Sequence, residues 1–198
     1  MSELQNSGDL LDSVANTIFF HDTITSASAL SLNVLLTALA FDVSSDNSRH
    51  KDDEDKIGYG KEMWLQINSP GGCVFGTFSI IDTIESIRKD FGIKVHTHIA
   101  GQAGSGAAMI AICGDERTIG INSFMLIHQI SGTTDGTHNN LKDELVNNVK
   151  LMDTVKRICK KKTKMTMKKI DDMLDHDIWL DADECLKNGL VDKILCKK

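Results

Sequence analysis

Proline is almost missing from this chain, with one residue in 198. Set against 41% hydrophobic residues, that scarcity excludes a disordered or low-complexity polypeptide. No run approaches the roughly 20 uninterrupted apolar residues that a membrane helix requires, so a soluble protein with no membrane partner is expected. An excess of bases is missing too. The 28 acids against 22 bases leave a formal net charge of -6, which argues against general nucleic-acid binding. No CxxC pair joins Cys73, Cys113, Cys159, Cys185 and Cys196, which are odd in number and far apart. Zinc and dithiol chemistry are therefore disfavoured, and reduced thiols in a cytoplasmic setting are expected. The first residues carry Glu3 and Asp9 but no basic start leading into an apolar run and no arginine, unlike a secretory signal or transit peptide. Residues 1–15 are expected to form a short frayed arm. Neither GxxxxGK[ST] nor GxGxxG spacing occurs, and no cofactor is expected.

What is there suits one domain with a full apolar core. Apolar periodicity predicts alternating short strands and helices. Residues 17–20 read as a strand, and Thr25 or Ser26 as the N-cap of a long apolar helix reaching about Phe41. Residues 43–60 form the one clear break in composition. They are polar and crowded with charge (Asp46, Arg49, Lys51, Asp52, Asp53, Glu54, Asp55, Lys56), and are expected as a solvated surface insertion outside the core, with a docking loop as the functional alternative. Residues 63–67 read as a strand, followed by a turn and a helix whose inner face carries Phe75, Phe78, Ile81, Ile84 and Ile87. A strand alternates Lys94, His96 and His98 with Val95, Thr97 and Ile99. Then come a small-residue helix over 104–113, strands at 117–119 and 124–127, helices at 139–161 and 166–174, a strand at 178–180, and a last helix and strand. No internal repeat is visible. The alternation places the chain in the α/β class.

Three places carry chemistry. In Gly101-Gln102-Ala103-Gly104-Ser105-Gly106-Ala107-Ala108 a serine sits between glycines, after a strand and at the start of a helix. Small neighbours let the backbone turn sharply, and the helix N-terminus offers free N–H groups to a developing oxyanion. A close-packed Gly/Ala helix is the structural alternative. In Asn68-Ser69-Pro70-Gly71-Gly72 the paired glycines let a substrate backbone approach, so the N–H groups of Gly72 and Gly106 form a candidate oxyanion hole. An ordinary tight turn is the plain alternative. The third place is a base. His128 ends the apolar Phe124-Met125-Leu126-Ile127 and is delivered from a rigid element at the surface. His96 and His98 share a strand face with metal-like spacing but have no Asp, Glu or Cys beside them in sequence, so no metal site is expected. His21, His50 and His138 lie at loops or element ends. For the acid that orients the base, position alone leaves Asp175, Asp177 and Asp181 open.

Four motifs in register carry a resemblance: Gly101-Gln102-Ala103-Gly104-Ser105, Ile67 through Gly72, Met125-Leu126-Ile127-His128-Gln129, and Trp179-Leu180 leading to Gly189-Leu190-Val191-Asp192. Together they resemble the ClpP family, the proteolytic subunits of Clp proteases, over residues 16–195. Gly114-Asp115-Glu116 and the stretch from Trp179 to Glu184 also resemble phage head-maturation proteases of the same fold. The resemblance implies a ClpP/crotonase fold, a right-handed spiral of ββα units, over residues 16–198, with a handle-like helix at 139–161. It implies a serine endopeptidase with Ser105 as nucleophile, His128 as base and Asp177 as the orienting carboxylate. Peptide would be held by strand pairing around Gly71, Gly72, Cys73 and Val74 and around Gln129 and Ile130. It further implies heptameric rings stacked in pairs, and an AAA+ unfoldase of the ClpX, ClpA or ClpC type feeding peptide or unfolded protein.

The pattern is not followed everywhere. Gly106 replaces the family's usual methionine, Ile130 a proline, Gln66 a tyrosine of the unfoldase-docking pocket, and His176 an arginine that helps join the rings. His176 implies ring pairing that strengthens below about pH 6.5, the reference histidine value. A basic cluster (Lys156, Arg157, Lys160, Lys161, Lys162, Lys164, Lys168, Lys169) reads as a solvated edge or a subunit rim, with a nucleic-acid or acidic-partner surface as the alternative. The rival functions are a prohead protease and a crotonase-like acyl-CoA enzyme. The latter needs an oxyanion hole but no triad.

Overall fold

The computed structural model describes residues 16–49 and 61–195. Six strands, β1 (Thr17–Phe20), β2 (Glu62–Ser69), β3 (Lys94–Gly104), β4 (Arg117–Gly120), β5 (Phe124–Leu126) and β6 (Lys193–Leu195), pair in parallel in one sheet. The order is β1-β2-β3-β4-β6, and β5 pairs with the far end of β3. The chain is mixed α/β, as expected. β3 is the spine: its first half holds β4 through Thr97–Arg117 and its last residues hold β5 through Gly104–Leu126.

The helices are α1 (Ser26–Arg49), α2 (Val74–Phe91), α3 (Gly106–Ala111), α4 (His138–Lys162), α5 (Met167–Leu174) and α6 (Ala182–Lys187). α1 and α2 pack side by side. The core joins Leu32, Leu36 and Ala40 of α1 to Met63, Leu65 and Ile67 of β2 and Ile80, Ile84 and Ile87 of α2. Burial of such aliphatic side chains, at roughly 25 cal/mol per Å², is what drives these elements together. Cys73 caps α2 by accepting the Gly76 N–H, and Gly92 closes it in the left-handed region at φ 66°. Asp181 and Glu184 form a reciprocal capping box on α6.

Three expectations need correction. α1 does not stop near Phe41 but runs to Arg49, and Val43 is buried in the core, because charge on its last turns does not oppose helix while an apolar residue still faces inward. The expected insertion therefore begins no earlier than residue 50; residues 50–60 lie outside the described residues, as does the arm at 1–15. Phe75 is not on the inner face of α2: it is 68% exposed. The first turn of α2 instead turns Gly76 and Thr77 inward. The expected strand at 178–180 is a single antiparallel bridge between Leu180 and Met125. The absence of an unbroken apolar run stands, while Ser26–Ser45 has a mean hydropathy of 1.5 and is long and apolar enough to cross a membrane by length and composition alone. One face of it is core, while Leu30, Val34, Leu35 and Phe41 are exposed.

Charged side chains tie the layers at the sheet ends. Asp115 takes Arg88 Nε and the Val95 N–H, each at 2.7 Å. Arg117 grips Asp192 through Nε at 3.0 Å and Nη2 at 2.7 Å, and its Nη1 donates to the carbonyls of Lys162 and Gly189. Hydrogen bonding from Arg117 holds the Asp192 carboxyl below its usual range. The basic cluster is partly neutralised within the chain, by Lys156–Asp171 and Lys162–Glu85, both 2.7 Å.

Candidate active site

The C-terminal ends of β2, β3 and β5 converge at one place, where parallel sheets place ligands. β3 ends at Gly104 and α3 begins at Gly106, so Ser105 is the hinge between them. Its φ of 51° and ψ of -119° make it the one non-glycine residue with positive φ among the described residues. An L-residue held in so sparsely populated a region is over-determined by its surroundings. Those surroundings are visible. The Ser105 N–H donates to Leu126 O of β5 at 2.7 Å. Gly104 lies so close to Pro70 O and Trp179 that a Cβ would stand 2.7 Å and 3.3 Å from them.

The turn after β2 is pinned from the opposite side by Ile24. The Ile24 N–H donates to Gly71 O at 2.8 Å, and Cys73 N–H donates to Ile24 O at 2.7 Å. In this parallel bridge the flanking groups of Gly71 and Cys73 face Ile24, so the N–H and C=O of Gly72 between them face away. Only glycine fits there: φ is +145° and a Cβ would lie 2.2 Å from Ile24 O. Neither the Gly72 nor the Gly106 N–H is hydrogen-bonded among the described residues, and both residues line the same pocket. Gly71 does not line it. It lies under the elbow, where a Cβ would meet Gly104 O at 2.4 Å, and its N–H donates to Ser69 Oγ at 3.1 Å.

His128 follows β5 and reaches Asp177, with Nδ1 3.0 Å from Oδ1. The bridge between Met125 and Leu180 delivers Asp177 by laying its segment against β5. The carboxylate is open to solvent, with 75% of its side chain exposed against 17% for His128. Of the three acids that position alone left open, Asp177 is the one that meets His128.

Ser105, Gly106, Gly72, His128, Cys73, Val74, Gln129 and Ile130 line a pocket of about 320 Å³. The Ser105 hydroxyl makes no hydrogen bond among the described residues, so the serine and the histidine share a pocket with no hydrogen bond between them. The amides of Gln129 and Ile130 already donate, to Leu174 O at 3.0 Å and Met152 Sδ at 3.3 Å. Thr77, Met109, Ile127 and Ser131 also line the pocket, and motif reading missed them. A signal existed for two: Thr77 and Met109 each lie one helical turn beyond a named residue, Cys73 and Ser105. His128 is the one ionisable wall residue besides the Cys73 thiol, so the pocket suits uncharged groups.

Elsewhere the histidines of β3 are used in packing. The His96 ring stacks on Trp64 at 4.8 Å, accepts the Glu116 N–H at Nδ1, and places Nε2 3.4 Å from Glu62. An acid does therefore stand beside His96, supplied across the sheet. No group of three or more His, Cys, Asp or Glu able to hold a metal occurs among the described residues. Cys73, Cys113, Cys159 and Cys185 are free thiols. Burial pushes Cys113 up to about 11 and Cys159 and Cys185 up to about 12, which keeps them protonated and inert. A sequence profile described as Clp protease matches residues 54–198.

Proposed function

Because the chain belongs to the Clp protease family and is by family a peptidase, we propose that it is a serine endopeptidase in which Ser105, His128 and Asp177 act as a triad. The observation that carries this reading is the 3.0 Å contact between His128 Nδ1 and Asp177 at the rim of the pocket entered by the strained Ser105 elbow. With Nδ1–H donated to the carboxylate, Nε2 is the basic nitrogen that takes the Ser105 proton. Oγ attacks the scissile carbonyl, and the resulting oxyanion is met by the free N–H groups of Gly72 and Gly106. His128 returns the proton to the leaving amine. Water then attacks the acyl-enzyme by the same route. The Ser105–His128 hydrogen bond forms as substrate settles, since catalytic hydrogen bonds are often long before substrate binds.

Family members generally assemble into oligomeric rings. For this chain the proposal is two stacked heptameric rings enclosing the sites, fed by an AAA+ unfoldase. The exposed apolar faces of α1 (Leu30, Val34, Phe41) and of the first half of α4 (Leu141, Leu145, Val149) support burial against neighbouring subunits. The test is cleavage of short fluorogenic peptides by wild type and Ser105→Ala. Loss of the nucleophile is expected to cut turnover by about 10⁴-fold or more; equal rates would overturn the peptidase reading.

A further inference from the structure

We propose that Thr77 is a positioning residue for the oxyanion donors, joining the Gly72–Cys73 turn to the underside of the Ser105–Gly106 elbow; this rests on the peptidase reading above. Thr77 carries a hydroxyl, yet it is only 1% exposed. On one side Oγ1 donates to the Cys73 carbonyl at 3.0 Å, beside the Thr77 N–H, which donates to the same oxygen at 2.9 Å. On the other side Oγ1 stands 2.2 Å from where a Cβ on Gly106 would be, and Thr77 Cβ stands 3.3 Å from it. The threonine therefore occupies the volume that any side chain at position 106 would need.

A threonine that bonds back to the carbonyl one turn earlier is common in helices and by itself says nothing of function. What distinguishes Thr77 is the second contact, to a segment far away in sequence that bears the nucleophile. The Gly72 N–H lies in the peptide plane whose carbonyl, Gly71 O, is held by the Ile24 N–H at 2.8 Å, and because glycine has the greatest backbone freedom of any residue type the chain beyond it is fixed only as firmly as Cys73 is held. Cys73 is clamped at both ends, with its N–H on Ile24 O and its carbonyl under Thr77. The same hydroxyl abuts Gly106, whose N–H is the other donor. One buried side chain thus sets the spacing between two backbone dipoles that must converge on one oxygen, and hydrogen-bond donors of this kind act only when aimed within a few tenths of an ångström.

The test compares wild type, Thr77→Ser, Thr77→Val, Thr77→Gly, Gly106→Ala and the double variant Thr77→Gly with Gly106→Ala. Thr77→Val keeps the shape and removes the donor. Its kcat is expected to fall about tenfold with KM within about twofold, and a peptide boronate, which mimics the tetrahedral state, to bind weaker by the same factor. Thr77→Ser, which keeps the hydroxyl, is expected to stay within about threefold of wild type. An unchanged kcat in Thr77→Val, or an equal loss in Thr77→Ser, would overturn the proposal. Melting temperatures supply a measurement that needs no turnover and does not depend on Thr77→Val folding. Gly106→Ala is expected to cost much less stability when position 77 is glycine than when it is threonine, and an equal cost in both backgrounds would also overturn it. If wild type cleaves no peptide, the peptidase reading falls, and the melting cycle still decides whether positions 77 and 106 act as one unit.

Discussion

Ser105 is held where an L-residue does not rest comfortably, at φ 51°, and the strain is repaid only by exposing Oγ. Glycine loses nothing sterically at such a position. Replacing Ser105 by glycine is therefore expected to give a protein about 1 kcal/mol more stable than Ser105→Ala, although both lack the Ser105 hydroxyl. Thermal denaturation of the two variants checks this, and a less stable glycine variant would show that the elbow is relaxed. At this scale the sequence was most informative. The serine between glycines, the histidine ending an apolar strand and the Gly-Gly turn are each legible because backbone geometry demands those residue types locally. Thr77 was not legible. Nothing near it announces a partner, and its role arises only where two distant segments meet. The choice among Asp175, Asp177 and Asp181 was likewise a matter of the Met125–Leu180 bridge and not of position.

Among the elements, the β3–β4 pair carries a pH-dependent joint. His98 Nδ1 meets Thr118 Oγ1 at 2.9 Å across this pair, and burial holds the imidazole below its ordinary 6.5. The unfolded chain gains a proton near that value which the folded chain refuses until lower pH. The stability that this histidine contributes is therefore complete above 6.5 and lost as pH falls from there through the folded value. Wild type is expected to lose more melting temperature than His98→Gln between about pH 7.5 and pH 5.5, and parallel profiles would show that His98 is not the group responsible. Element existence and type were readable from apolar periodicity, whereas ends and faces were less so. α1 outran its expected end because Val43 still found the core beyond Phe41. Phe75 follows the periodic stripe of α2 yet points outward, because the first turn faces Ile24 and Ala29 through Gly76 and the Ser105–Gly106 elbow through Thr77.

The isolated chain leaves much apolar surface uncovered. Leu145 and Val149 lie one turn apart on α4 and are exposed, as are Leu30, Val34 and Phe41 on α1. Lysine at both 145 and 149 is expected to leave the fold intact, because neither residue belongs to the core, but to reduce the sedimentation coefficient by weakening self-association. Unchanged sedimentation would mean that this face of α4 is not an interface. The apolar stretch after Ser26 was legible as a helix, although its sequence did not reveal which side of the helix the sheet would take.

Ile24 has a further consequence. It lies upstream of the family match at residues 54–198, yet its backbone straps the turn that aims Gly72. The stretch matched by the family profile thus does not by itself hold the turn that aims Gly72. The segment before it also carries β1 and the core side chains Leu32, Leu36 and Ala40 of α1, so residues 54–198 alone are expected to lose the cooperative melting transition of the full chain, and an unchanged transition in thermal denaturation would show that the leading segment is dispensable.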